Sequence, residues 1–161
     1  MAAAGELVLG LNAVTCENTG TTVTPVWVII TNIKDETLNM ETALSDVTTR
    51  ASNGWRLQVP TLSDASVDTQ MLYLADDPSF NSFRDKYLNK ERILMGFFDE
   101  DPAASDPSDD VVINGLIGGF SITNFSIGRE LEEAMMVDVT FTVREDDNGD
   151  GPQWLEITNT P

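Results

Sequence analysis

The 161-residue sequence contains no histidine and a single cysteine, Cys16, and each shortage removes a class of chemistry. Without histidine there is no Ser–His–Asp triad and no imidazole ligand for a metal ion. One thiol cannot form a disulfide within the chain or provide a zinc site by itself. Because Cys16 is followed by Glu17 and has no cationic neighbour in sequence, we expect a passive thiol rather than a nucleophile.

Basic residues are also scarce, since nine Lys and Arg stand against 27 Asp and Glu, for a net charge of −18. Nucleic acid is bound through Lys and Arg that displace its counterions, so this chain is expected to repel DNA and RNA. Anionic membranes are excluded as partners for the same reason.

Long apolar runs are missing as well. No run approaches the roughly 20 residues of a membrane span, so no membrane insertion is expected. The N-terminal sequence MAAAGELVLGLNAVTC lacks the basic region and the full-length apolar region of a signal peptide. We therefore expect synthesis in the cytoplasm.

Alternation of apolar and polar residues recurs along most of the chain and indicates strands. Strands are predicted near residues 6–15, 26–32, 37–40, 55–59, 67–73, 93–98, 120–125 and 135–143. In the last of these, Asp138, Thr140 and Thr142 alternate with apolar residues, a pattern that suits a sheet with one face in water. One domain, residues 1–161, is predicted: mainly β, a β-sandwich or open barrel with one flanking helix.

Turn residues suggest where these strands end. Turns are predicted at Asn18–Gly20, Lys34–Glu36, Ser63–Ser66 and Asn114-Gly115. The pair Gly118-Gly119 indicates a bulge or the close approach of another backbone. Residues 99–110 (DEDPAASDPSDD) carry six acids, two prolines and no base, and nothing apolar is expected to anchor this solvated, mobile loop.

The one predicted helix runs from about residue 77 to 90, with Asp77 as N-cap and Pro78 in its first turn. Phe80, Phe83 and Tyr87 recur at helical spacing and predict a buried stripe. Towards its end, where the helix dipole favours cations, lie four of the nine bases. A charged helix face is normally just solvated, but in so acidic a chain it also suits the docking of an acidic patch of another copy. The residues of this helix contact face are Arg84, Lys86, Lys90 and Arg92.

The alternation stops between Glu41 and Gly54, where 14 residues offer little to bury. We call this segment the arm. It is too long for a tight hairpin turn, and connections of this length are usually binding loops or mobile segments. Arg50 is the only base in the arm and can hold a carboxylate through two parallel hydrogen bonds, although a solvated arginine is the alternative.

One motif has a chemical signature, the stretch from Asp146 to Gly151 (DDNGDG), which matches the first half of a calcium loop. The bidentate carboxylate that completes such a loop falls on Ile157 here, so the match fails. An Asn-Gly turn between two strands explains the same residues, and calcium ligation by Asp146, Asn148 and Asp150 is the weaker alternative. The acids elsewhere show no distinctive pair for acid–base catalysis, so we expect no enzymatic activity and no cofactor.

The arm and its flanks resemble the tail tube proteins of tailed phages, the non-contractile major tail protein group. The resemblance rests on Trp27, on NIKDETLNMETALSDVTTRASNGW from Asn32 to Trp55, and on ITNFSIGRELEEAMMVDVTFTV from Ile122 to Val143. Within the arm, DVTTR and NGW are the most distinctive parts. The aromatic helix after Asp77 also resembles that family. Together these segments cover most of residues 25–157, and the N-terminal strand and the acidic loop have no counterpart.

This resemblance implies a structural virion protein whose hexameric rings stack into a hollow tube that conducts DNA during ejection. Mixed-face strands would form a closed inner barrel, and DNA would pass its acidic lumen without specific binding. Other implied partners are the tape measure protein and tail-end proteins, and the implied location is the virion tail. The arm would contact the neighbouring ring or subunit through Glu41, Asp46, Val47, Thr48, Arg50 and Asn53.

Two alternatives stay open. The chain could be a monomeric, calcium-assisted β-sandwich module that binds glycan or protein. It could also be the tube subunit of a phage-like injection machine, which the same fold and arm would serve equally well.

Overall fold

A computed structural model of the protein describes residues 10–108 and 110–160. This part of the chain is mainly β with one helix, as predicted. The elements are β1 (Val14–Asn18), β2 (Trp27–Ile29), β3 (Ile33–Asp46), β4 (Gln58–Leu72), α1 (Pro78–Asn89), β5 (Ile93–Phe98), β6 (Val111–Gly128), β7 (Met136–Arg144) and β8 (Gln153–Asn159). Residues 6–9 of the first predicted strand lie outside the described residues. No helix in the described ranges is long and apolar enough to cross a bilayer.

The strands form one antiparallel sheet with the order β2-β1-β5-β6-β7-β4-β3. The 18-residue strand β6 lies at the centre of this sheet, and β5 pairs along one of its edges. Along the opposite edge, β8 pairs with residues 111–117 of β6 and β7 pairs with residues 119–128. Although β1 and β3 stand far apart in this order, the Thr15 hydroxyl donates a hydrogen bond to the Glu36 carboxylate. The sheet is therefore curled into a half-barrel, which confirms the open-barrel form of the prediction.

The inside of the curl is the main hydrophobic core, and α1 closes it. Phe83 of α1 is fully buried and meets Phe141 edge to face, with ring centroids 5.3 Å apart. The side chain of Asp77 accepts a hydrogen bond from the Phe80 amide at 3.0 Å, so the predicted N-cap is confirmed. Tyr87, the last of the predicted stripe, stacks on Phe125 but stays partly exposed. The helix thus begins and ends within a residue or so of its predicted bounds.

The segment predicted as an irregular arm is instead the outer half of a long hairpin. β3 and β4 pair from Ile33 with Met71 to Asp46 with Gln58, so residues 41–46 are strand. The turn predicted at Ser63–Ser66 is wrong, because these residues lie inside β4. Small polar residues suit a ribbon with water on both faces as well as they suit a turn. The turn predicted at residues 34–36 is likewise only a register shift in β3.

The strand predicted at residues 55–59 also begins later, at Gln58, and runs through Pro60 instead of ending there. Pro60 lies at a register shift, where the pairing moves from Thr42 to Leu44. A proline is tolerated at such an irregularity because a regular ladder bond is already missing there.

Glycines in β6 do not end the strand but let other backbone approach it. The turn predicted at Asn114-Gly115 is wrong, since Gly115 pairs with both Phe98 and Leu155 inside the sheet. The close approach predicted for Gly118-Gly119 is confirmed. A Cβ on Gly119 would lie 2.4 Å from the carbonyl oxygen of Glu145, and one on Gly118 would lie 2.9 Å from Cα of Pro152. The chain between β7 and β8 therefore passes directly over these two glycines.

The acidic loop before β6 is anchored, contrary to expectation. The Asn159 side-chain amide donates to the carbonyls of Pro102 at 3.1 Å and Ala104 at 2.8 Å. Ala104 also packs against a second apolar cluster formed by Cys16, Phe98, Val111 and Ile113. The described part of this loop is therefore fastened to β8 and to the core, and four of its described acids are half-buried.

We predict that Gly119→Ala destabilises the fold by about 2 kcal/mol or more, because the new methyl group meets backbone that cannot give way. Urea unfolding measures the loss. Gly151→Ala is the matched control, since a Cβ there has no atom within 4 Å. Equal midpoints for the two variants would contradict the account of the β7–β8 crossing.

Cys16 supplies a second prediction. Its side chain is fully buried, and burial, reinforced by the negative charges of Asp101 and Glu36, raises the thiol pKa to about 12. The thiol therefore stays neutral and shielded at neutral and mildly alkaline pH. We expect a thiol-specific disulfide reagent to react at least about 100-fold more slowly with the native protein than with the protein in guanidinium. Equally fast labelling of both would show that the second cluster opens readily.

Candidate assembly surfaces

Four neighbouring strands present a polar surface on the side of the sheet away from the core. Along β4 and β7, Val67, Met71, Val139 and Phe141 are buried, so the residues between them face the other way. We call this surface the polar face. Its end pairs are Leu72 with Met136 and Gly119 with Arg144, and between them lie the paired residues Asp35, Thr37, Asn39, Ser66, Asp68, Gln70, Ser121, Asn124, Ser126, Asp138, Thr140 and Thr142. None of the residues between the end pairs is Lys or Arg, and Arg144 at the end of β7 pairs with Glu145 and donates to the Lys90 carbonyl.

Hydrogen bonds between strands hold the side chains of the polar face. The Asp68 carboxylate accepts hydrogen bonds from the Thr140 hydroxyl at 2.8 Å and from the side-chain amide of Asn39 at 3.2 Å. The Asp138 carboxylate accepts one from the side-chain amide of Gln70 at 3.0 Å. Because these donors are neutral, the bonds position the carboxylates without cancelling their charge. The polar face therefore carries an ordered negative potential.

The negative charge continues from the half-barrel onto the hairpin. A shallow hollow of about 420 Å³ lies among Asp35, Asp68, Asp138 and their neighbours. A second hollow of about 200 Å³ lies beside it, lined by Asn39, Glu41, Asp64, Ala65 and Ser66. Glu41 and Asp64 are paired directly across the ladder, an arrangement of like charges that weakens a hairpin. Among the described residues, neither carboxylate has a salt-bridge partner that would offset this repulsion.

Beyond the sheet, the hairpin becomes a free two-stranded ribbon. β7 pairs with β4 only over residues 66–72, so residues 58–65 of β4 pair with β3 alone. Trp55 and Leu62 are 75% and 80% exposed. Further exposed apolar side chains on the ribbon and its tip are Met40, Leu44, Val47, Leu57 and Val59. Two strands alone are marginally stable in water, and exposed apolar side chains gathered on one element make the ribbon a candidate contact surface.

The tip of the ribbon has a defined shape that Asp46 and Thr48 maintain. The Asp46 carboxylate accepts from the Thr48 amide at 2.9 Å and from Arg56 Nε at 3.2 Å. Hydrogen bonds from Thr48, together with the one from Arg56, lower the pKa of Asp46. The Thr48 hydroxyl in turn accepts from the Leu57 amide at 2.8 Å. Asp46 and Thr48 are thus occupied within the tip.

Other predicted arm residues remain available at the tip. Arg50 begins a single 3-10 turn, Arg50–Ser52, and within residues 10–108 and 110–160 it has no ion-pair partner. Asn53 and Val47 are exposed, as is Glu41 further back on β3. The structure places all six predicted arm residues on one ribbon, and whether they contact another subunit stays a prediction. Sequence reasoning missed Arg56, which is the base that pairs with Asp46.

The four bases predicted as a helix contact face have separate surroundings. Lys86 Nζ lies 3.5 Å from the carboxylate of the largely buried Glu17. Arg92 donates to the Asp146 carbonyl at 2.8 Å, and Arg84 pairs with its neighbour Asp85. Lys90 is the C-cap of α1, with a left-handed φ of 56°. Docking through these residues stays a prediction, and the internal bonds of Lys86 and Arg92 leave Arg84 and Lys90 as its better candidates.

The motif from Asp146 to Gly151 forms the turn between β7 and β8. Asp146 is buried, and its Oδ1 accepts from the amides of Asn148 and Asp150, both at 2.9 Å. The adjacent Asp147 accepts from the Thr22 amide, tying this turn to the β1–β2 turn. The described residues contain no group of three or more His, Cys, Asp or Glu placed to hold a metal ion. The turn accounts for the motif without an ion.

Comparison with known proteins gives matches at the level of structure only. No protein-family profile matches the sequence, and no curated protein matches it either. The structure is similar to a chain from the tail of an empty gene transfer agent particle with C6 symmetry, at a TM-score of 0.64 and 14% identity over 83% of this chain and 92% of that one.

Two further similarities have the same character. The SPP1 tail tube matches at a TM-score of 0.66 and 10% identity, over 96% of this chain and 81% of that one. A sheath–tube complex of an extracellular contractile injection system, PVC, matches at 0.57 and 6% identity, over 96% and 94%. These similarities confirm the resemblance to tail tube proteins where it concerns the fold. The chain has the tail tube fold.

Proposed function

We propose that this protein is a tail tube subunit whose copies close into hexameric rings and stack into a tube, with the polar face turned to the lumen. The observation that carries the proposal is the combination of the tail tube fold with an acidic polar face across four strands that has no base between its end pairs. The protein would then be a structural component of a virion tail, made in the host cytoplasm, and not an enzyme.

The chemistry of the polar face suits a conduit for DNA. A phosphate backbone is held by Lys and Arg, and the residues between the end pairs of this face include neither. The carboxylates of Asp68 and Asp138 repel phosphate while the hydroxyls around them keep the wall wet. The side-chain amide of Gln70 and the hydroxyl of Thr140 are already bonded to Asp138 and Asp68, so they are not free to retain a passing strand. DNA would therefore slide through without specific binding.

Ring closure would also explain the exposed edges of the sheet. In the order of the described strands, β2 and β3 stand at the two ends, so the outer edge of each is unpaired. β3 is 14 residues long, and an open edge of that length invites pairing with another chain. A closed barrel built from several subunits would use these edges for assembly.

The arm supports the stacking of one ring on the next. Its free ribbon displays apolar side chains together with Arg50, and the acidic surface of another copy would supply carboxylates for that base. Apolar burial would provide most of the contact energy, while a bidentate Arg–carboxylate pair would fix the register. Tape measure and tail-end proteins are expected as further partners, lining or closing the tube.

A specific observation favours a second candidate. Chains from contractile injection systems have the same fold, among them one from the baseplate of the anti-feeding prophage at a TM-score of 0.58 and 10% identity. The protein would then be the tube subunit of an injection machine that delivers something other than DNA. Rings and tubes are expected for both candidates, and only the transported cargo distinguishes one candidate from the other.

The proposal is tested by negative-stain electron microscopy of the purified protein beside sizing at low and high concentration. We expect hexameric rings or hollow tubes. Replacing Arg50 by Glu is expected to raise the concentration needed for tubes about tenfold or more, since a paired cation becomes a repelling anion. The circular dichroism spectrum and unfolding midpoint should stay unchanged.

Arg129→Glu is the matched control for that experiment, because it makes the same charge change outside the arm. Tubes of normal length and yield from Arg50→Glu would remove this residue from the contact. A strictly monomeric wild type whose melting temperature rises with calcium would instead support the calcium-assisted binding module.

A separate prediction concerns the charge of the lumen. Tubes carrying Asp68→Lys and Asp138→Lys are expected to retain short duplex DNA at low salt and release it as salt rises, whereas wild-type tubes retain none. In virions the same pair of changes should slow DNA ejection. The neutral pair Asp68→Asn and Asp138→Asn keeps an acceptor oxygen at each position, so it separates loss of the negative charge from gain of a positive one. Ejection rates and DNA retention that are the same in all three would place the polar face away from the lumen.

A further inference from the structure

Three Asn-Gly pairs occur in the chain, at Asn53, Asn114 and Asn148. In such a pair the glycine nitrogen can attack the asparagine side-chain amide, because glycine has no side chain to obstruct the approach. The attack requires the backbone between the two residues to rotate and the glycine nitrogen to be free. The structure gives the three pairs very different freedom in both respects.

Asn53 lies at the exposed tip of the ribbon. It adopts a left-handed conformation (φ 51°, ψ 39°), as does Gly54 (φ 84°), and the Trp55 amide closes this turn onto the Ser52 carbonyl at 3.0 Å. The Gly54 amide donates no hydrogen bond within the described residues. Apart from Gly54 and its two chain neighbours, no residue has an atom within 4 Å of the position that a Cβ on Gly54 would take. The attacking nitrogen therefore has no hydrogen bond to break, and residues further along the chain do not crowd Gly54.

Asn114 is held on both sides. It lies in β6, and the following Gly115 pairs with Phe98 of β5 and Leu155 of β8. The Asn114 amide donates to the Asp99 carboxylate at 2.8 Å, and its carbonyl accepts from the Asp99 amide at 2.9 Å. Rotation of this backbone would break ladder bonds to two strands at once.

Asn148 is exposed, like Asn53, but its backbone is tied to a buried residue. The Gly149 amide donates to the Asp146 carbonyl at 3.1 Å, so the attacking nitrogen is already engaged. The Asn148 amide donates to the Asp146 carboxylate at 2.9 Å. Because Asp146 is buried, this turn cannot rotate without disturbing the region between β7 and β8.

We infer that Asn53 is a site of spontaneous deamidation at the tip of the arm. The Gly54 nitrogen forms a bond to Cγ of Asn53, the bond from Cγ to Nδ2 breaks, and ammonia leaves with the proton from the Gly54 nitrogen. Water then opens the resulting succinimide ring at one of its two carbonyls and gives aspartate or isoaspartate. No enzyme or cofactor is required, and no oxidation or reduction takes place.

The modification would add a carboxylate three residues from Arg50. This part of the arm is the part proposed to contact the next ring, so the consequence for stacking rests on the proposed function. The isoaspartate product also lengthens the main chain inside a tightly closed turn. Deamidation would therefore make aged free subunits poorer at stacking. Subunits already in a tube would be protected where a neighbour covers the tip.

The test is peptide mass mapping of the intact purified protein during incubation at mildly alkaline pH. We expect the rate of the amide-to-acid mass change to be at least about tenfold higher at Asn53 than at Asn148. While the protein stays folded, no mass change is expected at Asn114. Asn53→Gly keeps a residue suited to the left-handed turn and has no side-chain amide, so it should abolish the mass change in this peptide. Faster change at Asn148 or Asn114, or no change at Asn53, would overturn the inference.

A second experiment separates this inference from the proposed function. The same mapping on assembled tubes should show slower change at Asn53 than in free subunits, and aged subunits should assemble less well than fresh ones. If no rings form, the proposed function fails while the ranking of the three sites is still decided by the mass data. If tubes form but Asn53 changes as fast in them as in free subunits, the tip does not take part in stacking, and the protection inferred here is wrong.

Discussion

The structure depends on one constraint, which is that β4, β6 and β7 must bury one side of each strand under α1 while leaving the other side mostly polar. Phe141 and Val139 of β7 reach the core, and Asp138 and Thr140, which alternate with them, bond to side chains of β4. Packing and the negative polar face are therefore two consequences of a single alternating pattern. A register slip of one residue would bury carboxylates and expose the core at the same time.

The second requirement is that the sheet curls tightly enough for its distant strands to meet. β6 allows this because it carries β5 on one edge and both β8 and β7 on the other, and its glycines let the crossing chain lie against it. The bond between Thr15 and Glu36 then links the first strand to the edge strand β3. Burial raises the pKa of Glu36, and the Thr15 hydroxyl opposes that shift.

What the single chain leaves unsatisfied indicates how it would assemble. The ribbon exposes Trp55 and Leu62, places Glu41 opposite Asp64, and leaves Arg50 without a partner in the described residues. The exposed apolar side chains and the pair of like charges cost the isolated chain stability or solubility. Under the proposed assembly the surface of another copy would cover the apolar side chains and supply a carboxylate for Arg50.

The sequence by itself determined the mainly β class, the α1 helix with its Asp77 cap, the polar side of β7 and the close approach at Gly118 and Gly119, because local periodicity and residue chemistry decide such features. Only the tertiary structure decided that Ser63–Ser66 and Asn114-Gly115 continue strands, since strand partners outweigh local turn preference. It likewise decided that the arm is a paired ribbon and that Lys86 and Arg92 are engaged internally. Contacts between residues far apart in sequence leave no periodic signal, so nothing along the chain could have revealed them.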